Sequence, residues 1–308
     1  MATKDQYVDK NGNLMNPSNT EHLMLMRYSL KNKENTQCLE DREDIYMRLA
    51  KKFSRNDTEN EKRLYTILKK NLFMFGGRSA ANADRIVPNC VVLTIKDDLQ
   101  DILGVLQVAG ALQKAGCGLG FCFGPLRPAD DPCITYQGKS SGTMSFAELY
   151  NYAFGVIKQQ GRHGANMATM PIDHPDILEF ILAKSIEGKF RNFNFSVLIT
   201  DHFMNEVKLD MENPQRGIYW KCQFNGKEYK PRMIYRKDSK LIDVVPIDIT
   251  ALELFTILCE QAHKNGEPGL LFPERAFNPF MKTLGKYITT NPCGMYILSF
   301  IIVTCNLG

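Results

Sequence analysis

A cysteine on a tight turn is the chemical feature that stands out in this chain. The run Thr290-Asn-Pro-Cys-Gly-Met295 sets Cys293 between Pro292 and Gly294, and a further thiol, Cys305, follows close to the last residue. A thiol on an Asn-Pro/Gly turn, backed by a downstream cysteine, suits sulfur-based redox or radical chemistry. Cys90 opens an apolar run, and cysteines at strand ends of an α/β fold gather where active sites form. The competing reading is bland, because a buried cysteine is usually just a small apolar side chain. Nine cysteines, an odd and unevenly spaced set, occur in a chain whose first residues form no apolar leader. That usage predicts reduced thiols in a reducing, cytoplasmic compartment and not a disulfide framework. There is no CxxC pair, and no Cys/His pair follows Cys117 and Cys122 at zinc spacing, so no metal site is expected.

Three other stretches invite a ligand. Gly138-Lys-Ser140 has the wording of a phosphate loop, but such a loop needs a glycine five positions before Gly138, where Cys133 stands. Gly116-Cys-Gly-Leu-Gly120 fails as a dinucleotide fingerprint because it is read as ending a helix and not opening one. Gln159-Gln-Gly-Arg-His-Gly-Ala-Asn166 is better: Arg162, Gly164, Ala165 and Asn166 make a loop able to grip a base or phosphate. An ordinary loop with a helix-terminal cation explains the same residues.

The elements that must position these groups alternate between strand and helix. Residues 1–75 are charged and read as helical, with Leu64, Ile67, Leu68 and Leu72 at helical spacing. From Cys90 an apolar strand to Ile95 leads to Asp97 as helix N-cap, and Leu99, Ile102, Leu103, Leu106 and Ala109 follow on one face. Phe121-Cys-Phe123 reads as the next strand. Ser145 with Glu148, and Thr250 with Glu253, form capping boxes, and Gly266 is a helix stop. Pro175 opens a helix, residues 193–200 read as a strand, and 208–248 as a polar β-hairpin excursion. The apolar run 295–304 is about half a bilayer span and reads as a buried strand, so no membrane partner is expected. A net charge of +4 without a basic stripe predicts no nucleic-acid partner. The fold class is α/β, with parallel strands in an open or barrel-like sheet.

Several stretches in order resemble one family. They are Asn89-Cys-Val-Val, Gly120-Phe-Cys-Phe-Gly-Pro-Leu-Arg-Pro128, Ser141-Gly-Thr-Met-Ser-Phe146, Arg162-His-Gly-Ala-Asn-Met167 and Asp173-His-Pro-Asp-Ile177. Asn192-Phe-Asn-Phe-Ser-Val197, Glu267-Pro-Gly269, Thr290-Asn-Pro-Cys-Gly294 and Cys305-Asn-Leu-Gly308 continue the series. Together they resemble the catalytic subunit of ribonucleotide reductases, most closely the adenosylcobalamin-dependent class II type. The resemblance implies the N-terminal half of a ten-stranded α/β barrel over 76–308, preceded by a short helical region over 1–75. It also implies that Cys293 is the thiyl radical taking the 3′ hydrogen of a ribonucleotide, a di- or triphosphate. Cys90 and Cys305 would then be the dithiol that reduces the 2′ carbon, and Asn291 would hold a ribose hydroxyl.

By the same resemblance, Asp97 and Arg127 match a dNTP or ATP effector site at a homodimer interface. Ser141 and Gly142, in the loop 138–143, and Arg162, Gly164, Ala165 and Asn166, in the loop 159–170, match the two loops that relay effector identity to the substrate. The radical source is expected to be adenosylcobalamin, the alternative being a separate radical-generating subunit, and the reductant of thioredoxin or glutaredoxin type. Met295 departs from the family, which has glutamate there as the base for the 3′ hydroxyl; methionine cannot accept a proton. The family chain also continues past Cys305, so a complementary C-terminal half is an expected partner and the chain is expected to be incomplete and inactive alone. A catalytically dead nucleotide-binding remnant, and a stand-alone thiol oxidoreductase on Cys90 and Cys305, are the other readings.

Overall fold

A computed structural model describes residues 10–11, 19–34, 36–77, 80, 90–133, 137–157, 165–276, 289–292, 297–298 and 302–305. The chain divides into two units, one over 1–89 with 306–308 and the other over 90–305.

The first unit is helical. Helices α1 (Asn19–Tyr28), α2 (Arg42–Phe53) and α3 (Thr58–Lys69) enclose a core of Leu25, Cys38, Ile45, Tyr46, Leu49, Ala50, Leu68 and Ala80. Asp41 and Asp44 close a capping box on α2, and Asp57 caps α3, which satisfies the orphan amides at each start. Arg48 pairs with Glu40 at 2.6 Å and donates to the carbonyls of Tyr28 and Ala80, so its buried charge is matched on every side. The helical spacing expected through Leu72 stops earlier, since α3 ends at Lys69 and Leu72 is exposed.

The second unit is built on a sheet of β1 (Cys90–Thr94), β2 (Gly118–Cys122), β5 (Asn166–Pro171), β6 (Asn194–Leu198), β11 (Gly269–Leu271) and β14 (Ile302–Cys305), while β3 (Pro132–Cys133) and β4 (Gly138–Lys139) pair separately within the loop after β2. Its order is β11-β6-β5-β2-β1-β14: five strands run parallel, and β14 closes the edge antiparallel to β1. Parallel strands need crossovers. These are helices α4 (Leu99–Lys114), α5 (Thr143–Val156) and α6 (Ile177–Leu182), followed by α7 (Asp201–Glu212) and α8 (Ala251–Asn265) before β11. A short helix, α9 (Pro273–Ala276), follows β11. Cys-Val-Val-Leu in β1 is buried throughout, the pattern of a parallel strand covered on both faces.

Side chains alternate across each strand, and on β2 the two sides differ sharply. Leu119 and Phe121 point with Phe123 into an aromatic core, where Phe121 lies 5.3 Å from the Tyr150 ring, 5.8 Å from Phe154 and 5.9 Å from Phe193. Tyr150 donates to the Ile102 carbonyl at 2.6 Å, which fixes α5 against α4. Gly118, Gly120 and Cys122 point the other way.

Three local expectations change. The N-cap of α4 is Asp98, whose side chain accepts from Asp101 N, because Asp97 is turned to Arg127. Ser145 and Glu148 form no capping box: α5 begins at Thr143 behind Gly142, and the Ser145 hydroxyl donates to the Ser141 carbonyl. Gly116, at positive φ, ends α4, but Gly118 to Gly120 already belong to β2. The capping box of Thr250 and Glu253 and the left-handed stop at Gly266 are as read. The polar excursion after α7 resolves into two hairpins. They are β7 (Cys222–Phe224) with β8 (Lys227–Tyr229), and β9 (Arg232–Lys237) with β10 (Lys240–Pro246). Both turns hold two positive-φ residues, Asn225-Gly226 and Asp238-Ser239, the primed geometry that matches strand twist. Among the described residues no helix is long and apolar enough to cross a membrane.

Candidate active site

The face of the sheet turned away from the aromatic core is cleared of bulk. Register aligns Cys90 with Gly118, and Cys122 with Thr169, Ser196 and Gly269, so small side chains line these two rows, while Val92 and Met167 flank the bare Gly120 between them. What fills the space is the chain itself. Strand β12 (Thr289–Thr290) pairs with β13 (Ile297–Leu298), and the connection between them spans 291–296. This hairpin arm crosses β2 so closely that a Cβ on Gly120 would fall 2.0 Å from the Thr290 carbonyl oxygen. A Cβ on Gly118 would meet Pro292 Cγ at 2.9 Å and Cys90 Sγ at 3.4 Å. Glycine is required here for close backbone approach. The arm is also tied by a side chain: Thr169 donates to the Phe121 carbonyl at 3.2 Å, which leaves Thr289 as donor to the Thr169 oxygen at 2.8 Å. Thr289, Thr290 and Asn291 are fully buried.

Gly118 therefore adjoins both Cys90 and the residue just before Cys293. Cys90 is buried, and in the antiparallel pairing of β1 with β14 it stands directly opposite Cys305. Directly opposed residues of antiparallel strands have Cα atoms about 4.5–5.5 Å apart, within the ~4.4–6.8 Å that a disulfide spans. Asn291 lies on the arm, with its amide oxygen accepting from the Thr290 hydroxyl at 3.3 Å. Cys293 and Met295 lie outside the described residues, as do Arg162 and Gly164. Ala165 abuts Gly118 through its carbonyl, 3.4 Å from the Cβ position. Asn166 opens β5, donates to the Asn192 carbonyl at 2.8 Å, and keeps a buried Oδ1 with no hydrogen bond among the described residues.

Residues 88–308 match the family described as ribonucleotide reductase, barrel domain. The chain belongs to the ribonucleotide reductase family. It is similar to the vitamin B12-dependent ribonucleoside-diphosphate reductase of Mycobacterium tuberculosis, 36% identical over 227 residues that cover 72% of this chain and 29% of the relative. The protein of the same name from Thermoplasma acidophilum is 36% identical, over 71% of this chain and 26% of its own length. The ribonucleoside-diphosphate reductase subunit alpha of Bacillus subtilis is 26% identical, over 70% of this chain and 30% of its own. The chain thus spans less than a third of the curated relatives it matches. The expected partial barrel agrees with the family and with the five parallel strands.

In this reductase-family sheet a second polar cluster forms beyond the C-terminal ends of β1 and β2. Asp97 follows β1 and Arg127 follows β2; Arg127 donates through Nε to Asp97 Oδ2 at 2.8 Å and through its backbone to Oδ1 at 3.1 Å. Ser141 and Gly142 lie at the far end of the same loop, where Gly142 has φ +84° and a Cβ would strike Ala129 at 2.8 Å. Because Gly142 has no capping side chain, the start of α5 borrows one: Asp176 accepts from the Thr143 amide and hydroxyl, both at 3.3 Å, and from Ala129 N at 3.0 Å. Burial pushes the Asp176 carboxyl up to about 6, with those donors pulling it back. Burial likewise pushes His174 down to about 4. His174 is held neutral, accepting from Asp176 N and facing the Leu126 carbonyl at 3.0 Å. In the sequence Asp176 stands just after the helix-opening Pro175 and within the family stretch Asp173–Ile177, with no site role assigned to it. The missed signal is the bare Gly142, a helix start in need of a distant acceptor.

Proposed function

We propose that this chain carries the dithiol and radical-cysteine part of a ribonucleotide reductase that converts a ribonucleoside diphosphate to the deoxyribonucleotide. The observation that carries the reading is the pairing of Cys90 with Cys305 across β1 and β14, beside the arm that leads into Cys293. In this reading the Cys293 thiyl takes the 3′ hydrogen, Cys90 protonates the departing 2′ hydroxyl, and Asn291 holds a ribose hydroxyl. The balance closes: two thiols become a disulfide, the 2′ carbon gains two electrons, and the hydroxyl leaves as water. The 3′ hydrogen then returns from Cys293. A thioredoxin-type dithiol restores the pair, in the cytoplasm.

The vitamin B12 dependence in the relatives' names supports adenosylcobalamin as the source of the thiyl radical, in preference to a separate radical-generating subunit. The cradle over Gly118 and Gly120 is filled by Thr290 and Pro292, so those glycines seat the chain's own arm and not a corrin. Asp97 and Arg127 are proposed as the effector site for dNTP or ATP, with Ser141 and Gly142 in the loop that relays effector identity to the substrate. The homodimer is proposed through α4 and α5, whose outer faces expose Leu99, Leu103, Val108, Tyr152 and Val156. A complementary C-terminal half is proposed as the partner for turnover.

One observation favours a second reading, a nucleotide-binding protein without turnover: methionine at 295 in place of the family's base. Oxidation followed by peptide mapping tests the first reading. A Cys90–Cys305 link that disappears in Cys305→Ser supports it, and a Cys90 thiol that stays alkylatable after oxidation refutes it. Turnover with a complementary C-terminal chain, adenosylcobalamin, a ribonucleoside diphosphate and dithiothreitol then separates the two readings. A rise of about 10²–10⁴-fold in Met295→Glu, the worth of a general base, would identify the missing proton acceptor.

A further inference from the structure

The loop that joins β2 to α5 is gripped at both ends by a strand from far later in the chain. At one end, Arg232 of β9 donates to the Ala129 carbonyl and, at 3.1 Å, to Asp131 Oδ1. Tyr229 completes that end: its hydroxyl donates to Asp131 Oδ2 at 2.7 Å, and the Arg232 guanidinium lies 4.6 Å from its ring centroid. At the other end, Arg236 donates to the Ser141 carbonyl at 2.8 Å and to the Ser145 hydroxyl at 2.9 Å. Its guanidinium is held by a two-point pairing with Glu179 of α6.

Arg232 and Arg236 are four residues apart on one strand, so they share a face of β9. Their side chains are only 12% and 13% exposed, and the side-chain hydrogen bonds they make outside α6 fall on the β2–α5 loop and on Ser145 in the first turn of α5. The planar fork of arginine suits this, because each guanidinium can bind a carboxylate and a carbonyl at fixed angles. Asp176 holds the inner side of the same loop, so the segment lies between a buried carboxylate and a two-arginine clamp.

We propose that Arg232 and Arg236 are positioning residues that set the conformation of the β2–α5 loop and, through it, which deoxynucleoside triphosphate the Asp97/Arg127 site accepts. This rests on the effector reading of Asp97 and Arg127 given above, and it assigns the polar hairpin excursion a role that its own surface chemistry does not display. Neither arginine touches Asp97 or Arg127; they act on the loop that carries Arg127, Ser141 and Gly142.

The test compares the parent chain with Arg232→Gln, Arg236→Gln and Arg236→Lys, using hydrogen exchange and equilibrium dialysis against dATP, dGTP, dCTP and dTTP separately. In Arg232→Gln the amides of Ala129, Asp130 and Ser140 are expected to exchange faster by about tenfold or more, and in Arg236→Gln those of Gly142 and Thr143, with β5 and β6 unchanged. The ratio between the tightest and weakest triphosphate is expected to shrink by about threefold or more in each. Arg236→Lys keeps the charge but not the fork, so it is expected to follow Arg236→Gln. Parent-like loop exchange, or exchange that speeds equally in β5 and β6, overturns the clamp. A loosened loop with parent-like discrimination overturns the specificity role. A parent chain that binds none of the four triphosphates removes the effector reading and that role with it, while the exchange rates still decide whether the arginines hold the loop.

Discussion

Replacing Gly120 by alanine should unseat the arm that leads to Cys293 while leaving the two sheet cysteines paired. The added Cβ would lie 2.0 Å from the Thr290 carbonyl oxygen and 3.0 Å from its carbon, against 3.4 Å for the start of ordinary contact. Both obstructing atoms are backbone, so no rotamer change relieves the clash, and the arm must retreat by about 1.4 Å. Overpacking of this kind costs about 1–3 kcal/mol. Retreat also stretches the buried Thr169–Thr289 hydrogen bond of 2.8 Å, and a buried hydroxyl left unpaired costs about 1–3 kcal/mol more. Alanine recovers about 0.5–1 kcal/mol of backbone entropy, so a net loss of about 1–5 kcal/mol is expected. Urea unfolding followed through Trp220 reads this directly, because the chain has a single tryptophan and it is buried in the 90–305 unit. Gly104→Ala is the matched control: it lies within α4 with nothing inside 4 Å of its Cβ position, and should gain about 0.5–1 kcal/mol. The oxidised Cys90–Cys305 link should form as readily in Gly120→Ala as in the parent, since β1 and β14 pair on the far side of the strand. If Gly120→Ala is as stable as the parent, the close crossing of β2 by the arm is wrong.

Thr169→Val removes the acceptor for Thr289 at nearly constant volume and should cost about 1–3 kcal/mol in the same urea assay, whereas Thr169→Ser should restore most of it. Asp176 should give a distinctive pH signature. Its carboxyl, at about 6 in the folded chain against 3.8 unfolded, stays protonated in the fold while the unfolded chain has already ionised. The stability it contributes is therefore full below pH 4 and falls between about pH 4 and 6, by up to about 3 kcal/mol. The difference in unfolding free energy between the parent and Asp176→Asn should follow that slope, and a flat difference from pH 4 to 7 would contradict the buried, hydrogen-bonded carboxyl.

The reading of the sequence went furthest where a signal was local. Thr250 with Glu253, Gly266, and the unbroken apolar run of β1 each state their structure within a few residues, and each appears where expected. Asp97 failed because two adjacent aspartates offer the same cap, and only the distant Arg127 decides between them. Gly118 and Gly120 failed for a related reason. Glycine after a helix reads as a stop, but here it clears space for a segment some 170 residues later, a requirement that no local window contains. The hairpin turn Asn225-Gly226 is written in the preferred dipeptide, while Asp238-Ser239 adopts the same geometry without it. Cys90 and Cys305 were matched through family motifs; what the strand order adds is the physical reason two cysteines so far apart in sequence can meet.

The candidate site depends on two kinds of positioning, and they should fail independently. Cys90 and Cys305 are opposed by backbone register at the antiparallel edge of the sheet, so their meeting survives side-chain changes elsewhere as long as β1 and β14 stay paired. The arm before Cys293 is seated where side chains are absent at Gly118 and Gly120, and the Thr169–Thr289 hydroxyl pair ties it there, so a single methyl group on Gly120 can displace it. A thiol pair that must react in sequence with a third thiol needs both conditions at once. The residues that seat the arm are therefore as decisive for the proposed chemistry as the cysteines, although none of them is itself a redox group. This also bears on Met295: its substitution changes the chemistry that residue 295 can supply, whereas substitutions at Gly118, Gly120 or Thr169 alter where the arm lies. Rescue by Met295→Glu should therefore be lost when combined with Gly120→Ala, while the oxidised Cys90–Cys305 link persists in the double variant.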